Sequence, residues 1–156
     1  MKDVDTDPPL IFAPSHCKIR YEPLGVALVI GSWNFPYFVT LKPLIVAIAA
    51  GNCVIVKPSE LGPCSGRAIQ ILVEKYLDQR CYRTIIGEID VGKKLTQSKF
   101  DIMCFTGSTF VGSLIAQEAA KNLVPCILEL GGKCPFIMDE SSDLDYSAKK
   151  ILCARF

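Results

Sequence analysis

Five short apolar runs, rich in β-branched residues, alternate along this chain with segments of helical spacing. The strand-like runs cover residues 25–32, 52–56, 82–86, 101–105 and 124–130. After the first, Leu41, Leu44, Ile45, Ile48 and Ala49 recur at helical intervals and end at Gly51-Asn52, a helix stop. Pro63 suits a first helical turn, and Ile69, Leu72, Val73, Tyr76 and Leu77 then share one helical face. A weak helix is expected over 89–95. A stronger one spans 109–121, with Val111, Leu114, Ile115 and Ala119 inward. Residues 135–138 read as a short extended piece, and Ser142 or Asp143 caps a last helix still running at residue 156. Strand–helix alternation with short connections requires crossovers, hence an α/β fold: an open, Rossmann-like parallel sheet with helices on both faces. The 50% hydrophobic content fits strands buried on both faces, or a piece that buries surface against something outside this chain. Pro8, Pro9, Pro14 and Pro23 interrupt the pattern, so residues 1–24 read as extended arms outside a domain of residues 25–156.

Charge and cysteine usage narrow the function classes. Seventeen basic against sixteen acidic residues leave a formal net charge of +1, which argues against nucleic acid as a partner. No apolar run reaches the length of a bilayer span, and the first residues lack a signal-peptide core. The eight cysteines are therefore expected to stay reduced, in an intracellular, cytoplasmic setting. None forms a Cys-x-x-Cys pair, so no metal site is expected. Cys53, Cys104 and Cys126 lie inside apolar runs and read as small core residues. His16 is the single histidine and sits in a Pro-flanked, loop-like stretch, which disfavours a histidine triad.

Open α/β sheets bind ligands at the carboxyl ends of their strands, and four turns here fall at such ends. Trp33-Asn34-Phe35-Pro36 follows the first strand; the Asn34 amide could donate to an oxyanion, or simply form an Asx turn. Lys57-Pro58-Ser59-Glu60 follows the second strand, where a carboxylate can bind ribose hydroxyls; a solvated charge pair fits the same residues. Gly107, Ser108, Thr109, Phe110, Val111 and Gly112 open a helix and could receive a phosphate, although Ser108 as a plain N-cap is an equal reading. The segment lacks the P-loop lysine, and the chain has no Gly-x-Gly-x-x-Gly. Glu129 stands between Leu128 and Leu130, ahead of Gly131 and Gly132, which let a backbone or ligand come close. A carboxyl desolvated there would have a raised pKa, as a general base needs. A strand-end glutamate turned to solvent fits as well.

The order and spacing of these turns say more than any one of them. Gly-Ser-Trp-Asn-Phe-Pro at 31–36, Ala-Ala-Gly-Asn at 49–52, Lys-Pro-Ser-Glu at 57–60, Phe-Thr-Gly-Ser-Thr at 105–109 and Leu-Glu-Leu-Gly-Gly-Lys at 128–133 together resemble the cofactor-binding part of an aldehyde dehydrogenase. The resemblance runs from about residue 24 to residue 156. The connections around Tyr76-Leu77-Asp78 and Ser98-Lys99-Phe100-Asp101 are similar to the class 3, fatty or aromatic aldehyde branch.

The resemblance implies oxidation of an aldehyde to a carboxylic acid with NAD or NADP. A cysteine thiolate would add to the aldehyde. Asn34 would hold the oxyanion, and Glu129 would activate water as general base. Lys57 and Glu60 match the adenosine-ribose positions, residues 107–112 match the dinucleotide phosphate turn, and Trp33 and Leu130 fall with the cofactor residues. A homodimer is implied for the parent, with residues 1–24 resembling part of its oligomerisation arm. Cys134 follows Lys133 where the family usually has Ser, Asn, Asp or Ala, a departure of small size. The larger departure is that the family's nucleophilic cysteine lies in a Gly-Gln-x-Cys turn beyond residue 156, and Cys153 lies within a helical run that cannot supply it. The chain thus reads as a fragment incomplete at both ends, inactive alone, with any membrane anchor in an absent C-terminus. A non-catalytic module that binds a nucleotide or a partner is the competing reading. A conventional Rossmann reductase is disfavoured by the missing Gly-x-Gly-x-x-Gly.

Overall fold

A computed structural model describes residues 2–155. Five strands form one parallel sheet: β3 (Val26–Ile30), β4 (Cys53–Lys57), β5 (Tyr82–Thr84), β6 (Ile102–Gly107) and β7 (Cys126–Leu130), in the spatial order β5-β4-β3-β6-β7. The chain builds outward from β3 to β5, then returns to the other side of β3 for β6 and β7. That reversal puts a topological switch point between β3 and β6, at whose carboxyl ends lie the turns after residues 30 and 107.

The strands alternate their side chains between two cores. Ala27, Val29, Val54 and Val56 pack with Leu44 of α1 (Pro36–Ala49) and Ile69 and Val73 of α2 (Pro63–Tyr76). Leu28, Met103 and Phe105 pack on the opposite face with Ile115 and Ala119 of α4 (Thr109–Lys121). Phe100 is buried there too, and Leu95 of α3 (Ile89–Gln97) lies against it. Leu28, Val54 and Ile69 are wholly buried, each contributing about 1.5–3 kcal/mol of burial free energy. The α/β expectation, parallel with helices on both faces, therefore holds.

Several local expectations are corrected. Helix α1 begins five residues earlier than its apolar spacing suggested, because Pro36 and Pro43 are both accommodated within it. It closes at Gly51, whose φ of +83° lets its N–H reach the Ile48 carbonyl at 2.8 Å. Ile45, Leu72 and Tyr76, which follow the apolar helical spacing, are exposed. Val111 and Leu114 also miss the core, since they face an open cleft between α3 and α4. The last helix, α5 (Leu144–Arg155), does begin after Asp143, whose carboxylate accepts from the Tyr146 N–H at 2.9 Å. Residue 156 lies outside the described residues. Cys104 and Cys126 pack against the two cores as expected, but Cys53 belongs to neither.

Before the sheet, β1 (Val4–Thr6) and β2 (Cys17–Ile19) pair antiparallel as a two-stranded ribbon around a 3-10 turn at Leu10–Phe12. The extended arm expected here is thus folded back on itself. Its apolar tip at Leu10, Ile11 and Phe12 is exposed. Among the described residues, no helix is long and apolar enough to cross a membrane.

Candidate active site

Two adjoining clefts occupy the carboxyl ends of the strands. The first has a volume of about 630 Å3 and lies between the end of β4 and helices α3 and α4. Lys57 ends β4 in register with Ile30, and its side chain is only 4% exposed. An ammonium group buried to that degree requires partners. Its Nζ donates to the Glu60 carboxylate at 2.8 Å and to the Pro58 carbonyl at 3.2 Å. Burial alone would push the Glu60 carboxyl up, but the Lys57 hydrogen bond, a backbone hydrogen bond and the Lys57 charge together hold it below its ordinary value. The solvated charge pair considered above is thus a half-sequestered ion pair.

Gly92 stands beside that pair: a Cβ added there would lie 3.3 Å from Lys57 Cε. Ile89, Val111 and Leu114 supply apolar walls, and Lys93, Thr96 and Glu118 add polar groups. An apolar cleft of this size with a few convergent polar groups has the character of a small-molecule site.

The second cleft, of about 440 Å3, collects the other three turns. Ser32, Trp33 and Asn34 line it from β3, Thr106, Gly107 and Ser108 from β6, and Glu129, Leu130 and Gly131 from β7. These segments are distant in sequence, and parallel pairing of Thr106 with Glu129 and of Gly107 with Leu130 brings two of them together. The Ser32 hydroxyl donates to the Asn34 side-chain oxygen at 2.7 Å. That bond occupies the oxygen and leaves the amide NH2 as a donor on an exposed residue. Ser108 Oγ accepts from the Val111 N–H at 3.3 Å, so the N-cap reading of Ser108 is correct. Capping and anion attraction are compatible, because the same helix N-terminus carries the positive end of the α4 dipole.

Glu129 differs from its expectation. It is exposed, so the desolvation predicted from its leucine neighbours is missing. Leu128 and Leu130 point to the opposite side of β7, as strand alternation demands. Glu129 shares a face with Cys104, whose thiol is pushed up first by burial and then by the Glu129 charge. The space beside Gly131 and Gly132 is open: a Cβ added to either would meet no atom of the described residues within 4 Å.

Ten of the twelve sequence-selected residues line one cleft or the other. Lys57, Glu60, Phe110 and Val111 meet in the first; Trp33, Asn34, Gly107, Ser108, Glu129 and Leu130 meet in the second. Thr109 and Gly112 line neither. Gly112 is buried, and an added Cβ would sit 2.6 Å from Leu130 Cδ2, so this glycine lets α4 approach β7. The contribution of α3 was missed. Its cleft-facing residues Ile89, Gly92, Lys93 and Thr96 follow helical spacing, but the face mixes apolar, small and charged groups.

A parallel sheet with a nucleotide-sized cleft at its switch point defines a Rossmann-like domain. Within that class the chain belongs to the aldehyde dehydrogenase family, whose family model matches residues 7–156. It is 44% identical over 140 residues to the dimeric NADP-preferring aldehyde dehydrogenase of Canis lupus familiaris, covering 90% of this chain and 31% of that protein. It is likewise 44% identical over 138 residues to aldehyde dehydrogenase family 3 member A2 of Rattus norvegicus, covering 88% and 28%. The substrate-bound AldH of Staphylococcus aureus superposes with a TM-score of 0.91 at 40% identity, over 99% of this chain and 34% of that one. The NAD+ complex of Mycobacterium tuberculosis aldehyde dehydrogenase superposes with a TM-score of 0.74 at 31% identity, over 84% and 27%. The chain spans about 30% of the length of the curated relatives it matches.

Proposed function

We propose that this chain is the cofactor-binding part of an NAD- or NADP-dependent enzyme that oxidises an aldehyde to a carboxylic acid. The observation that carries the reading is the pairing of buried Lys57 with half-exposed Glu60 at the head of the first cleft. Lys57 and Glu60 would bind the adenosine ribose, with Val111 and Leu114 walling its base. The α4 N-terminus at residues 107–112 would face the phosphates. From there the cofactor would extend into the second cleft, where Trp33 and Leu130 would flank the reacting end. Bound there, the cofactor supplies the hydride acceptor.

The two remaining groups divide the chemistry. The free NH2 of Asn34 would donate to an oxyanion, which is worth most where donors are held ready before the charge develops. The exposed Glu129 carboxylate would take a proton from the water that releases the acid. A nucleophile is the third part such chemistry needs, and these 156 residues contain no Gly-Gln-x-Cys turn. By themselves they are expected to bind cofactor weakly and to leave aldehydes unchanged. The ribbon within residues 1–24 would contribute to a homodimer contact of the parent, and an intracellular, cytoplasmic setting accompanies this reading.

Trp33 is the single tryptophan and lines the second cleft, so its fluorescence tests the proposal. Titration of the 156-residue chain with NAD and NADP should give a weak saturable response that Lys57→Ala and Ser108→Ala each weaken. A tight response that neither variant changes would overturn the site assignment.

A further inference from the structure

At the opposite end of the sheet from both clefts, two cysteines stand side by side. Cys53 opens β4, and Cys81 immediately precedes β5. Parallel pairing sets Val54 beside Tyr82, and the Val54 N–H donates to the Cys81 carbonyl at 2.8 Å. One register step back places Cys53 next to Cys81 across the β4–β5 pair. Neighbouring strands lie about 4.8 Å apart. That spacing is inside the Cα separation of about 4.4–6.8 Å that disulfides use. Cys81 sits in a turn rather than in the strand ladder, so its backbone is less constrained than that of a paired strand residue.

Both thiols are half-buried, which leaves them within reach of a small reagent. Neither belongs to a core cluster, and neither lines a cleft. Packing and the proposed chemistry therefore leave this pair unexplained. We propose that Cys53 and Cys81 form a redox modification site, a dithiol that closes to a disulfide on exchange with a small disulfide of the glutathione type. The thiolate of one cysteine attacks the small disulfide RS–SR, forms a mixed disulfide and expels RS−. The thiolate of the other then attacks the protein sulfur of that mixed disulfide, the Cys53–Cys81 bond forms, and a second RS− leaves. Two electrons and two protons pass from the protein dithiol to the reagent, which becomes two RSH. The bond ties the three-residue edge strand β5 to β4 and closes a loop that contains α2, Lys57 and Glu60. Such a closure stabilises chiefly by restricting the unfolded chain.

The test treats the native 156-residue chain with oxidised glutathione, blocks remaining thiols by alkylation and maps the peptides by fragmentation mass spectrometry. The expected product is a dithiothreitol-reversible Cys53–Cys81 link with loss of two hydrogens, retained in Cys64→Ser. Replacing Cys53 by Ser should leave Cys81 as a persistent glutathione adduct. The oxidised chain should melt at a higher temperature than the reduced one, and Cys81→Ser should abolish that difference. The proposal is overturned if Cys53 and Cys81 stay reduced while exposed Cys64 and Cys153 take up glutathione. It is also overturned if the link forms only after urea unfolding.

Discussion

The two clefts are built on opposite principles. In the first, the ionisable groups satisfy each other: Lys57 is buried, Glu60 accepts from it, and apolar walls surround both. In the second, the Asn34 amide NH2 and the Glu129 carboxylate are exposed and make no bond to other described residues. The first resembles a finished binding surface, where charge has been neutralised and orientation set. The second presents groups with unused hydrogen-bonding capacity, which is what proton transfer and oxyanion binding require. The contrast also separates stability from activity. Removing a buried, paired group disturbs the fold, whereas removing an exposed, unpaired one should not.

The largest expected effects fall on the exposed groups and are visible only in catalysis. In a parent chain that includes the Gly-Gln-x-Cys turn, Glu129→Gln should lower turnover by a factor of about a hundred to ten thousand while retaining an NADH burst. Asn34→Ala should instead suppress the burst, by about a hundred- to a thousandfold. Rapid-mixing kinetics distinguishes the two, and normal bursts with normal turnover in both would remove the second cleft from the chemistry. In thermal or urea melts, both variants should stay within about 0.5 kcal/mol of the starting protein.

The paired cleft should show the reverse. Glu60→Gln removes the negative charge that faces the buried Lys57 ammonium and leaves it only neutral acceptors, and should cost about 1–3 kcal/mol in urea unfolding. A loss near zero would mean that the pair is hydrated and the contrast between the clefts is false. Between them stands Ser108, which caps α4 and lines the second cleft. Ser108→Ala should cost about 1 kcal/mol of stability and also weaken cofactor binding. Stability loss with unchanged binding would confine Ser108 to its capping role.

The smallest expected effect is a pH dependence. The Glu60 carboxyl is held below its ordinary value of 4.5 in the folded chain. Its contribution is therefore complete above that value, and is lost as pH falls from about 4.5 through the lowered folded pKa. Acid titration of stability should be shallower in Glu60→Gln over that window. An identical slope in both proteins would show that Glu60 gains nothing from Lys57.

Much of this arrangement was legible because it depends on local pattern. Strand and helix alternation follows from spacing that any reader of the chain can count, and α4 spans the residues its periodicity marked. Ser108 was legible as a cap because capping involves neighbours three residues apart. What failed was the assignment of faces. Val111 and Leu114 are apolar and helically spaced, yet they line a cleft, because α3 stands off from α4 there. Tyr76 and Ile45 satisfy the same periodicity while facing outward. Periodicity reports that a face is apolar; it does not report what covers the face.

The sequence by itself determined the class of fold, the order of its elements and which polar residues stand at the carboxyl ends of the strands, since each of these rests on residue type and near-neighbour spacing. Only tertiary structure decided their environments. Parallel pairing of β6 with β7 carried Glu129 to Gly107 and Ser108, and strand alternation turned it toward solvent although both neighbours are leucines. Pairing of β4 with β3 sank Lys57 while its turn left Glu60 within 2.8 Å of it. Pairing of β4 with β5 set Cys53 beside Cys81 across 28 positions of chain. Burial and proximity are set by sheet register and by the layers above it, which act across distances in sequence that no local pattern spans.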